Sequence, residues 1–311
     1  MAKLIETPRR VDAVPELRVV RHRPRRVVRR LALVVAVMLV AGLVAGALAR
    51  SMLNESETPE IASLVGSTAA PRLLAIFAEP GDELAAAGTL AQLDSSGVRT
   101  AAVYLTDGGA PAQGADSDEA QSRPAKLPPE VASAIGLDQV DSLGYEAATI
   151  ADQDPAVIGK KVADIIAAFA PSTVLTLPAA VDANSREAHA VTGSIALNAV
   201  TQSGGGKAGP VTQIWTATLP EQRIGTWLPM PGAFSDYAAE NENVLPEPTA
   251  AVSISGFAGQ IHSAASVYDE SMMDETQPWL GMLPAPVGPQ VYYRVLDREY
   301  FSETFVGTPA G

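Results

Sequence analysis

Acid–base and ligand chemistry in this 311-residue chain is concentrated at three places. The first is Glu79-Pro80-Gly81-Asp82-Glu83, the second is Thr106-Asp107-Gly108-Gly109, and the third runs from Asp182 through Arg186 to His189. Carboxylates and imidazoles act as general acids and bases and as oxygen or nitrogen ligands for divalent cations. Arg186 is always protonated, so it can stabilise an oxyanion but cannot give up a proton. The chain has no Cys, which removes thiolate metal sites and disulfides. Each residue also has an ordinary reading. Asp82 after Pro80-Gly81 stands where an N-cap belongs, and Glu83 suits the first turn of a following helix. Asp107 fits a turn, and His189 fits a polar surface position near a helix start.

The elements around these residues follow from periodicity. Residues 72–78 (RLLAIFA) form a short apolar run closed by Pro80-Gly81, a helical pattern follows over 83–96, and 100–106 (TAAVYLT) is the next strand. Helices are predicted at 129–135, 156–169 and 186–200, and strands at 139–143, 172–177 and 211–216. Strands separated by helices imply a mainly parallel sheet covered on both faces. In such sheets ligands bind beyond the carboxyl ends of the strands, which here are 78–83, 106–109, 144–146 and 178–189. Residues 220–248, with Trp227, Met230, Phe234 and Tyr237, show no period and read as a lid or irregular cap. A strand and helix are expected over 250–269, and two strands in a hairpin over 291–303.

The run LLAIFAEPGDELAAAGTLAQLDSSGVRTAAVYLTDGGA, residues 73–110, resembles the opening of the LmbE-like or PIG-L family of N-acetylglucosaminyl-phosphatidylinositol de-N-acetylases. That family has a strand, the sequence HPDDE, a helix, and a strand ending in TDG. Residues 134–146 are similar to its "LGyxD" stretch, 165–177 to its next strand, His189 and the residues after it to the end of its HPDH motif, and Arg298-Glu299-Tyr300-Phe301 to its "EyF". The resemblance spans about 71–301. It implies an α/β, Rossmann-like domain and metal-dependent removal of an acetyl group from an N-acetyl sugar, with zinc the first choice of divalent metal. Carried over residue by residue, the implied metal ligands are Glu79, Asp82 and His189. The general base falls on Gly81, and the first His of HPDH on Arg186, which could still contact an oxyanion. Asp107 is a further catalytic candidate, and Glu83, Asp107 or Asp182 could be recruited as base. Because Gly81 has no side chain, the resemblance implies hydrolysis that is weakened or lost. The other class of function is a non-catalytic module that binds a glycan or glycolipid of the envelope, or scaffolds an enzyme.

Charge separates a tail from the rest. Residues 1–30 carry ten Lys/Arg against three acids, while the whole chain is −13, which leaves −20 beyond the tail. Nucleic-acid binding needs basic charge on the folded domain, so that class is excluded. Residues 31–49 (LALVVAVMLVAGLVAGALA) contain no charge and are long enough to span a hydrocarbon core. The basic residues before them place the N-terminus in the cytoplasm and the main domain outside. Ala47-Leu48-Ala49 also has the form of a signal-peptide cleavage site, a reading opposed by the thirty-residue basic region. Gly42 and Gly46 form a GxxxG pair. The expected organisation is thus a basic tail (1–30), a transmembrane helix (31–49), a flexible linker (50–70) and the de-N-acetylase-like domain (71–311). The expected partners are an N-acetylated sugar or glycolipid and, through Leu31 to Ala49, the membrane.

Overall fold

The computed structural model describes residues 25–67, 70–107, 129–179, 188–203, 211–220, 223, 245–268, 293 and 295–306. Arg186, Asp182 and the lid residues Trp227, Met230, Phe234 and Tyr237 lie outside them. Two units emerge, residues 1–45 and 46–311. Helix α1 (Arg25–Leu53) is one helix long and apolar enough to cross a membrane, a test that a signal sequence also passes. Its large apolar side chains, from Val28 to Met52, are exposed.

The second unit is built on an eight-stranded sheet in the order β1-β7-β8-β6-β5-β2-β3-β4. The strands are β1 (Glu60–Ile61), β2 (Arg72–Phe77), β3 (Arg99–Thr106), β4 (Gln139–Tyr145), β5 (Thr173–Thr176), β6 (Gln213–Thr218), β7 (Ala250–Ser253) and β8 (Arg298–Val306). The helices are α2 (Ala87–Ser95), α3 (Pro129–Ala134), α4 (Pro155–Phe169), α5 (Ala188–Gln202) and α6 (Ala258–Tyr268). All pairings are parallel except those of β8, which lies antiparallel between β6 and β7. Residues of β2 explain why a continuous apolar run makes a central strand. Leu73, Ala75 and Phe77 enter the core that also holds Leu90, Ile135 and Ile261 of the α2, α3 and α6 side. Leu74 and Ile76 enter the other core, with Ile158, Val162 and Ile195 from α4 and α5. A strand buried on both faces has no polar alternation to show. Helix α4 starts where Asp154 accepts a hydrogen bond from the Ala156 N–H with Pro155 in its first turn, and it ends at Ala170 in the left-handed conformation (φ 51°).

Three sequence expectations are corrected. Of the hairpin expected over 291–303, the described residues hold one strand, β8 (Arg298–Val306), inserted between two others. The helix expected over 83–96 opens as a 3₁₀ turn, Asp82–Ala86, before α2. The linker 50–70 is in part structured: β1 pairs with β7, and Asn54, Thr58 and Leu64 are buried. Attachment begins at Arg50, whose guanidinium lies 2.5 Å from Asp297. Asn54 Nδ2 donates to the Val295 carbonyl (2.6 Å), the Glu55 N–H donates to the Tyr300 hydroxyl (3.0 Å), and Arg223 Nε donates to the Leu53 carbonyl (3.1 Å).

Candidate active site

Strand β2 has β3 on one side and β5 on the other, with the chain going first to β3 through α2 and later returning to β5 through α4. This reversal makes β2 the topological switch point of the sheet, where segments leaving adjacent strands diverge and open a crevice. Residues 78–83 leave β2 there, and α5 follows β5. Helix α5 is seated by Gly193, where an added Cβ would meet the Pro178 and Leu177 carbonyl oxygens at 2.4 and 2.5 Å. Its first turn thereby carries His189, one turn before Gly193, down to the β2 loop.

Asp82 is fully buried, and its two oxygens are divided between backbone and side chain. Oδ2 accepts from the Ala78 and Glu79 N–H groups, both at 2.9 Å, so the carboxylate turns back onto the loop preceding it and caps no helix. Oδ1 lies 2.9 Å from His189 Nε2. His189 is buried rather than a surface residue. Glu83, also fully buried, accepts through Oε2 from the Gly81 N–H (2.9 Å) and the Tyr104 hydroxyl (2.8 Å). A carboxylate held this way braces the loop and is not open to a substrate as a base. Gly81 sits at φ 111°, a backbone conformation that side-chain-bearing residues rarely adopt. The loop is further tied to β3 by Thr106, whose N–H and hydroxyl both donate to the Ala78 carbonyl at 2.8 Å.

Between Pro80 of this loop and the ends of β3 and β4 opens a cleft of about 550 Å³ lined also by Tyr104, Asp107, Ser142 and Gly144. Asp107 is half-buried there; its N–H donates to the Tyr145 carbonyl (3.0 Å) and its Oδ1 accepts from the Ser142 hydroxyl (3.1 Å). Of the sequence-nominated residues the structure therefore joins Asp82 with His189, places Asp107 on the neighbouring cleft, and buries Glu79 in the same loop. Among the described residues, no three His, Cys, Asp or Glu side chains are grouped so as to hold a metal ion. Asp82 Oδ1 and His189 Nε2 face each other as two ligands of one cation would, but Glu79 does not complete a set with them. The arrangement falls short of the three-ligand site the resemblance implies.

Sequence reasoning passed over two supports. They are Tyr104, inside the predicted strand 100–106, and Glu299, inside the Arg298–Phe301 stretch. Glu299 is fully buried and accepts from the Gly88 and Thr89 N–H groups, one on each oxygen at 2.8 Å, which caps α2 from a strand 210 residues away. Burial raises its carboxyl to about 7, against the opposing pull of the Thr89 and Gly88 hydrogen bonds and the Arg223 charge. The available signal was an acid set in an otherwise aromatic strand segment.

The sheet is mixed α/β with helices on both sides, and the Asp82–His189 pair lies at its switch point. Residues 74–200 match the family model described as PIG-L, GlcNAc-PI de-N-acetylase. Among curated proteins none matches. Similar solved structures include the conserved protein TT1542 from Thermus thermophilus, at 20% identity, covering 77% of this chain and 98% of that one, with a TM-score of 0.47. The N,N'-diacetylchitobiose deacetylase from Pyrococcus horikoshii is 16% identical, with 76% and 84% covered and a TM-score of 0.47. A 4-carboxy-2-hydroxymuconate hydratase from Pseudomonas putida is 13% identical, with 78% and 99% covered and a TM-score of 0.45.

Proposed function

We propose that this chain is a membrane-anchored member of the de-N-acetylase class whose hydrolysis is weakened or lost, and which keeps the capacity to bind an N-acetylated sugar or glycolipid. The observation that carries this reading is Gly81. The position that the family pattern gives to the general base has no side chain, and its φ of 111° suits a glycine. Loss of a positioned base costs about 10²- to 10⁴-fold in rate. A divalent cation, zinc first among them, would draw on Asp82 and His189, with Glu79 as the third ligand implied by the resemblance. Replacing an imidazole by a carboxylate there lowers the site's preference for zinc. Arg186 is retained in this reading as an oxyanion contact and Asp107 as a polar contact to substrate.

Metal content tests it. The purified full-length chain, equilibrated with zinc and then gel-filtered, should retain well under one equivalent by elemental analysis. One equivalent that persists, and is lost in His189→Ala, would favour a competent hydrolase. The cleft favours the binding-module reading of the same surface, because Asp107 and Ser142 offer polar groups for sugar hydroxyls without a metal. Chitooligosaccharide binding that weakens in Asp107→Ala is expected; binding unchanged by that substitution would remove the cleft from the reading.

The membrane part rests on α1 and the basic tail before it. Full-length protein should stay in the membrane fraction, with the main domain on the outer face. A soluble species beginning at Arg50 would contradict anchoring.

A further inference from the structure

At the amino-terminal edge of the sheet, away from the cleft, Arg72 opens β2 and Arg99 opens β3, and the two are register partners on parallel neighbouring strands. Like charges placed opposite each other on adjacent strands repel. Both guanidinium groups lie over the ring of Phe169, at 5.9 and 6.0 Å from its centroid, and Arg72 Nη1 also donates to the Phe169 carbonyl (2.8 Å). Among the described residues neither arginine has a carboxylate within ion-pair distance. The exposed Arg99 makes no side-chain hydrogen bond among them and has only the aromatic contact. The two side chains, with Gln139, Asp141 and Phe169, line a notch of about 230 Å³. Asp141 is engaged by Gln139 Nε2 at 2.9 Å.

We propose that this notch is a binding site for a phosphate-type oxyanion, free or at the end of a larger molecule such as a lipid headgroup. An oxyanion between the arginines turns their mutual repulsion into two attractions, and the planar donor forks match its oxygens in paired hydrogen bonds. The Phe169 ring, within cation–π distance of both guanidinium groups, holds them together at the notch. Asp141 on the wall opposes the ligand's charge and limits affinity. The site sits on a part of the chain that is otherwise strongly acidic, so attraction is local and not a general surface effect.

The test titrates inorganic phosphate into the full-length chain in a phosphate-free neutral detergent, reading ³¹P line broadening at fixed ionic strength. Arg99→Gln, which breaks no side-chain hydrogen bond among the described residues, should weaken binding roughly tenfold, since charged hydrogen bonds are lost. Asp141→Asn should tighten it. The same titration in nanodiscs of neutral lipid and of lipid containing phosphatidylglycerol separates the sources. Weaker phosphate binding in the anionic discs means that a headgroup competes for the notch; equal binding means a soluble ligand; both retain the site. No saturable binding to the wild type, or binding that Arg99→Gln and Asp141→Asn leave unchanged, overturns it.

Discussion

Asp82 is both the best-placed reactive group and a structural one. Its carboxylate satisfies two buried N–H donors and the His189 ring, so Asp82→Ala should cost about 2–4 kcal/mol in stability by leaving those groups unpaired. Denaturant unfolding checks this, and a variant as stable as the wild type would show that the loop does not depend on the carboxylate. Gly81 makes the reverse kind of prediction. Any side chain at φ 111° is strained by about 1–2 kcal/mol, so Gly81→Asp should lower the melting temperature. It should regain little activity even with Glu79→His and Arg186→His, because the loop is shaped for glycine. At this scale the family resemblance named Asp82 and His189, and the fold brings their side chains to 2.9 Å of each other. The left-handed backbone at 81 was not legible, since a glycine in sequence does not state its φ. Nor were the partners of Glu83 and α2, because Tyr104, on the next strand, and Glu299, 210 residues beyond Thr89, meet them only in the folded sheet.

Helix α2 depends on a remote carboxylate, and that dependence has a pH signature. The Glu299 carboxyl is raised from the ordinary 4.5 to about 7, so between these values the folded chain holds a proton that the unfolded chain has released. Its contribution to stability is complete below about pH 4.5, falls as pH rises through 7, and levels off above it, a change on the order of 3 kcal/mol. Unfolding free energies measured from pH 5 to 8 should fall accordingly, and Glu299→Gln should flatten the slope; an unaltered slope in that variant would assign it to other groups. Helix α5 offers a packing test. Gly193→Ala pushes a methyl into the Pro178 carbonyl, which should destabilise the domain and pull His189 from Asp82, seen as changed chemical shifts of the His189 ring. The alternation of strands and helices was readable because apolar runs and 3.6-residue patterns are local. Insertion of β8 between β6 and β7 was not, because local pattern cannot tell a strand that pairs with its neighbour from one that pairs elsewhere. The ordering of Asn54 and Glu60–Ile61 escaped for the same reason: a short polar stretch reads as tether until Arg223, Val295 and β7 supply its partners.

For the whole molecule, the proposal to be tested is a PIG-L-type domain with weakened or lost hydrolysis. The direct measurement is acetate release from N-acetylglucosamine oligosaccharides by the folded, full-length wild-type protein supplied with zinc, run beside His189→Ala and a protein-free control. The incomplete site predicts a rate that does not rise above either. Sustained turnover by the wild type that disappears in His189→Ala would contradict it, and would show that a base other than the missing side chain at Gly81 completes the reaction.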